Sequence, residues 1–154
     1  MDLLSVAWLL AVLATGIAAG AMAGHALLLG RFFNWIFESN RTEMFRQSYP
    51  VFIREKKPEL LFDNLFTLAL LLTNIYDVLL WHANRIDALS LAAAGLQWLF
   101  ALVFFGSGFA SLERELFVKG NVAPERMQRF LSLNTPVTVL SAILLLASLA
   151  CLVL

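Results

Sequence analysis

The sequence is poor in the residues on which metal and disulfide chemistry depend. Its one cysteine, Cys151, excludes an internal disulfide and a Cys-based metal cluster. Its only two histidines, His25 and His82, fall at opposite ends of apolar segments, more than ~20 Å apart by helix rise. A His-rich di-iron, copper or bis-His haem site within one subunit is therefore not expected, since a catalytic metal takes about three protein ligands. No Glu-x-x-His pair, Gly-rich phosphate loop or nucleophile elbow occurs. Neither a metal nor a cofactor is expected. Charge is scarce too: 14% of residues are charged and the net charge is zero, which excludes a nucleic-acid binder on bulk electrostatics. No lysine or arginine precedes Arg31 or follows Arg129.

What is present is apolar. Hydrophobic residues make up 60% of the chain, against about 45–50% in a soluble domain. Four apolar segments stand out, at about residues 3–29, 60–81, 88–111 and 130–154. Each is long enough to cross a ~30 Å hydrocarbon core at 1.5 Å per residue. The fold expected is all-α, an integral membrane four-helix bundle forming one domain over residues 1–154, with the lipid bilayer as its first partner. The AMA at residues 21–23 resembles a signal-peptide cleavage site, but the first segment lacks a basic start and is too long for an h-region. It reads as a retained membrane helix.

Ten of the eleven basic residues lie in two connections, residues 30–59 and 112–129, and the turn at 82–87 holds only Arg85. The positive-inside rule puts those two connections in the cytoplasm and both termini outside, in a multi-pass inner-membrane protein. The long first loop is rich in aromatics (Phe32, Phe33, Trp35, Phe37) and carries Phe45, Tyr49, Val51, Phe52 and Ile53 between charges. It is expected to hold an interfacial helix at residues 41–48, capped by Ser39 or Asn40 and broken by Pro50 and Pro58. The residues HANRID make a tight hairpin between the second and third helices.

The second segment is the most informative. Asp63, Thr67, Asn74 and Asp77 stand at offsets 0, 4, 11 and 14, within roughly 80° of helix arc. In the fourth, Asn134, Thr138, Ser141 and Ser148 at offsets 0, 4, 7 and 14 make a similar stripe, and Pro136 should bend that helix. A mid-bilayer Asp costs roughly 2.5–3.5 kcal/mol, so both stripes are expected to face the interior. Asp63 and His25 then form a candidate catalytic pair in the cytoplasmic half, because a buried carboxylate beside a histidine can move a proton. Asn134, Thr138, Thr67 and Asn64 at similar depth, with Asn74 and Asp77 nearer the outer surface, are candidate ligand-binding groups. The plainer alternative for each is an interhelical hydrogen bond, typically worth ~0.6 kcal/mol. Glu113 reads as a boundary charge that could turn inward, and Gln97 lies near the middle of the third helix. Gly16, Gly20 and Gly24 form two overlapping GxxxG steps, which seat a helix of the same chain or, more sharply, a homodimer.

The small-residue helix TGIAAGAMAGHALLLG, the charged loop FRQSYPVFIREKKPE and the entry RFLSLNTPVTVLSA with Asn134 in its first turns resemble the anthrone oxygenase-like family of small four-helix membrane proteins. The resemblance implies oxygenase activity on polycyclic aromatic substrates without an obvious metal. The leading expectation is a polar inner-leaflet pocket for an apolar or amphipathic small molecule, with cofactor-independent oxidoreductase activity as one form of it. An oligomeric transporter or channel, and a structural or assembly subunit, are the alternatives.

Overall fold

The computed structural model describes residues 2–39, 41–56, 58–85 and 87–154, and the side chains of 44–46, 54 and 58–61 also lie outside it. The Asn40 cap, the Lys57 charge and the apolar surface of Phe45 therefore fall outside the described residues. All regular elements among the described residues are helical: α1 (Leu3–Gly24), a π turn (His25–Leu29), α2 (Gly30–Glu38), α3 (Thr42–Lys56), α4 (Pro58–His82), α5 (Ala88–Gly106), α6 (Phe109–Glu113), a second π turn (Arg114–Val118) and α7 (Pro124–Val153). Four continuous helical stretches, Leu3–Glu38, Phe62–His82, Ala88–Gly106 and Pro124–Val153, are long and apolar enough to cross a membrane. Their outer faces carry exposed Leu13, Ile17, Leu71, Val78, Leu102 and Ile143. Contiguous apolar surface of this kind calls for a non-aqueous neighbour.

Local chemistry sets the ends. The Asp2 carboxylate accepts from the Ser5 amide at 2.8 Å and caps α1. Asp87 accepts from the amides of Leu89 and Ser90 and caps α5. Asn84 takes the left-handed conformation (φ 54°) in the hairpin between α4 and α5, a position Asn tolerates better than most residues. Gly108 at φ 76° stops α5 short of Ser111, where the sequence pattern places its end. Pro124 opens α7 at a site where no amide hydrogen is needed. α7 continues through Pro136.

The first connection differs most from expectation. Residues 30–38 are not loop: the π turn carries the first helix straight on into α2. α2 is strongly two-faced, burying Gly30, Phe33, Ile36 and Phe37 while exposing Arg31, Phe32 and Trp35. Helix α3 is longer than residues 41–48 and runs through Pro50 without breaking. Its core-side contact at Tyr49 stacks edge-on against Phe33 and Phe117.

α1 packs on α4 and α7, and α7 packs on α5, so α1 and α7 form the centre of the described packing. The small face of α1 that meets its neighbours is the alanine face, with Ala11, Ala18 and Ala19 fully buried. The glycine stripe is not the intrachain seat. A Cβ on Gly20 or Gly24 would meet nothing within 4 Å, and one on Gly16 would only touch Leu149.

Candidate functional site

The two polar stripes have opposite fates. On α7, Asn134, Thr138, Ser141 and Ser148 are all buried. On α4, Asp63, Asn64 and Thr67 are exposed, and Asn74 and Asp77 are half-buried. The face that α4 turns inward carries Phe66, Ala69, Thr73 and Leu80 instead. The expected inward stripe of α4 is thus corrected, and for Thr67 and Asn74 the reason is local. Thr67 Oγ1 donates to the Asp63 carbonyl at 2.8 Å, and Asn74 Nδ2 donates to the Leu70 carbonyl at 2.7 Å. Side chains that return hydrogen bonds to their own helix need no cover from another. Asp77 accepts a hydrogen bond from the Ser90 hydroxyl across the α4–α5 hairpin.

Asn134 is a genuine junction. Its Nδ2 donates to the Gly30 carbonyl and to Asn34 Oδ1, both at 2.8 Å, while Thr138 Oγ1 donates to the Asn134 carbonyl at 2.6 Å. The close approach needs a glycine: a Cβ at residue 30 would lie 3.2 Å from the His25 carbonyl and 3.3 Å from both polar atoms of the Asn134 amide. Gly30→Ala should therefore destabilise by about 1–3 kcal/mol despite alanine's better helix propensity. Gly20→Ala, which meets open space, should be neutral or slightly stabilising. Thermal unfolding of both variants in the same detergent checks the contrast, and equal effects would deny Gly30 its role.

His25 opens the first π turn and Glu113 immediately precedes the second. Each π turn inserts an extra residue into its helix, a distortion frequent at functional sites. Here the two distortions bring His25 Nε2 to 3.7 Å from Glu113 Oε1. The imidazole sits on an aromatic floor, 6.4 Å from the Phe33 ring, which packs in turn on Phe117 and Phe130. Burial, and secondly the negative charge of Asp63, push the Glu113 carboxyl up to about 8. Asp63 thus contributes its field to Glu113 from the exposed side of α4. The partner of the histidine is Glu113, and the Asp63–His25 pair is corrected accordingly.

Among the described residues, four buried polar atoms have no hydrogen-bond partner: His25 Nε2, Asn134 Oδ1, Ser141 Oγ and Gln97 Oε1. Gln97 binds the four long helices together. Its Nε2 shares two hydrogens among Thr15, Thr73 and Ser148 hydroxyl oxygens at 2.9–3.1 Å, one on each of the other three helices. Sequence reasoning noted Gln97 without assigning it a role, although a lone amide in the middle of an apolar span is itself a signal. It missed Asn34 and Gly30, whose roles depend on the α2 extension.

Two surface clefts flank this interior. One, of 160 Å³, is lined by Asp77, Leu80, Trp81, Asp87 and Leu91. The other, of 420 Å³, is lined by Gly108, Ser111, Leu112, Glu115, Glu125, Arg126 and Arg129. Arg126 pairs with Glu115 at 2.7 Å on its rim. Neither cleft contains His25, Asp63 or Asn134. Chemically, the interior offers a carboxyl group and an imidazole 3.7 Å apart, too far for a direct hydrogen bond but able to flank a bound group, and a set of amides and hydroxyls able to orient carbonyl or hydroxyl groups. No family model, curated protein or solved structure matches this chain.

Proposed function

We propose that this is an inner-membrane four-helix bundle whose work is acid–base chemistry at the His25–Glu113 pair, acting on an apolar or amphipathic small molecule that arrives through the lipid. The orientation that fits is the one given by charge, with ten of eleven basic residues in the first and third connections and hence inside. Both termini then lie outside, α2 continues the first helix to the inner side, and the pair sits at the cytoplasmic end. Arg41 over the Trp35 ring, 4.6 Å from its centroid, suits an anchor at headgroup depth.

The observation that carries the reading is the meeting of a buried imidazole and a carboxyl at two π turns, with His25 Nε2 lacking any hydrogen-bond partner among the described residues. A neutral carboxyl can give a proton to a substrate oxygen and an unprotonated imidazole can take one, with no cofactor involved. Cofactor-independent oxidoreduction, as the anthrone oxygenase-like resemblance implies, is one reaction class that uses such a proton transfer. Mass spectrometry of protein purified in mild detergent tests the proposal. Wild-type protein should retain a defined small molecule that Glu113→Gln and His25→Gln preparations lose while staying folded. Equal retention by all three, or none by wild type, would defeat it.

A further inference from the structure

The unpartnered buried atoms are not scattered. Asn134 Oδ1 and Ser141 Oγ lie on one stripe of α7, and Gln97 of α5, whose Oε1 is unpartnered, reaches that stripe through its Nε2, which donates to Ser148 seven residues further along. Gln97, Asn134 and Ser141 are each at most 1% exposed. Leaving such an atom dry forfeits the hydration it had in the unfolded chain, and native proteins normally satisfy buried polar atoms, with ordered water where protein groups are lacking. At 1.5 Å per residue, the stripe from Asn134 to Ser148 rises about 21 Å, and Thr73 to Asp77 on α4 adds about 6 Å. Together these cover most of a ~30 Å hydrocarbon core. At one end Asn134 bonds the carbonyl of Gly30, which directly follows the π turn that His25 opens, and at the other Gln97 bonds Thr73, one turn before Asp77, which lines the 160 Å³ cleft.

We propose that this track is a proton path: a file of hydroxyl groups, amides and bound waters joining the His25–Glu113 pair, through Asn134, Ser141 and Gln97, to Asp77 at the opposite end. The hydroxyls carry the proton. The Ser141 hydroxyl, which has no partner among the described residues, holds a donor and two acceptor lone pairs and can accept a proton on one side and release one on the other; Thr138 does the same once its hydrogen turns away from the Asn134 carbonyl. The Asn134 and Gln97 amides hold the waters between them. A hydrogen bond reaches about 3 Å, so the two turns between Ser141 and Ser148, about 10 Å, take two or three waters. The step is balanced: a proton enters at one acid as another leaves at the far acid, no electrons move, and a counter-ion flow compensates the charge. The path rests on the reading of His25–Glu113 as a proton-exchanging pair, but it does not depend on any small-molecule substrate.

Full-length protein in potassium-loaded liposomes containing a trapped pH dye, with valinomycin carrying the compensating potassium, tests the path. After an external pH jump, wild-type vesicles should equilibrate at least roughly tenfold faster than protein-free ones. Ser141→Ala removes one relay hydroxyl with little change in volume and should slow transfer by roughly tenfold, the factor corresponding to one hydrogen bond's worth of barrier. Gln97→Leu, which closes the middle of the file, should abolish it. The path is overturned if wild-type vesicles equilibrate no faster than empty ones, or if both variants conduct like wild type. Flux at the empty-vesicle rate together with retention of a small molecule would remove the path and leave the acid–base site standing.

Discussion

Raising the pH from about 5 to about 9 should lower the unfolding temperature of the detergent-solubilised protein, and Glu113→Gln should remove most of that dependence. The Glu113 carboxyl is raised from 4.5 to about 8, chiefly by burial and then by Asp63. Between those two values the folded state holds a proton that the unfolded state has released. Stability therefore falls as pH rises through this window and is highest below it. Each unit of pKa difference is worth about 1.4 kcal/mol. The Glu113 side chain is 21% exposed, which admits some solvent screening, so a total loss on the order of 2–4 kcal/mol is expected. The groups facing Glu113 are His25 from the first π turn and Asp63 from α4. Asp63→Asn should therefore shrink the slope without abolishing it. Tryptophan fluorescence follows the transition directly, and a wild-type midpoint that rises with pH over this range would have the wrong sign for a buried carboxyl.

Asn134→Leu should be the most destabilising single substitution among the polar residues of α7, at about 2–4 kcal/mol. Two hydrogen bonds vanish with the amide, those to the Gly30 carbonyl and to Asn34 Oδ1. Interhelical bonds in membranes average ~0.6 kcal/mol and reach ~1.7, so these account for about half. The rest comes from forcing a branched side chain into a site where the Asn134 amide already lies 3.3 Å from a would-be Cβ on Gly30. Asn134→Asp keeps the shape but leaves either a buried carboxylate facing two acceptor oxygens or a protonated acid with one hydrogen for the two, so it should remain well below wild type in stability. By contrast, Thr67→Leu on the exposed face of α4 should be near neutral, because Thr67 bonds only its own helix. Equilibrium unfolding of the three variants checks the order, and an Asn134→Leu protein as stable as Thr67→Leu would remove Asn134 from the junction.

The pattern of residues carried the number of long helices, the hairpin at residues 82–87 and the buried stripe of α7. It did so because four hydroxyl and amide groups in one narrow arc of an apolar helix have few places to go. The same arc on α4 misled, since Thr67 and Asn74 satisfy themselves on the carbonyls of Asp63 and Leu70. Angular clustering fixes a face, not the direction in which it looks. The π turns had no residue signature. Each adds one residue to a helical turn, so a regular 100° wheel drawn from Gly24 loses its phase before Gly30 and Asn34. That shift hid the Gly30–Asn34–Asn134 junction. The second π turn follows Glu113, so a residue that reads as a solvated boundary charge ends up against His25 instead.

The central claim is that Glu113 holds a proton at neutral pH beside His25. Infrared difference spectroscopy of wild type against Glu113→Gln, titrated in lipid or mild detergent, observes that proton through the carbonyl stretch of a protonated carboxylic acid. A band absent from the variant, present at neutral pH, and lost only as pH rises through about 8 is expected. A band already gone at neutral pH, with Glu113 titrating as an ordinary solvated carboxylate, would contradict it.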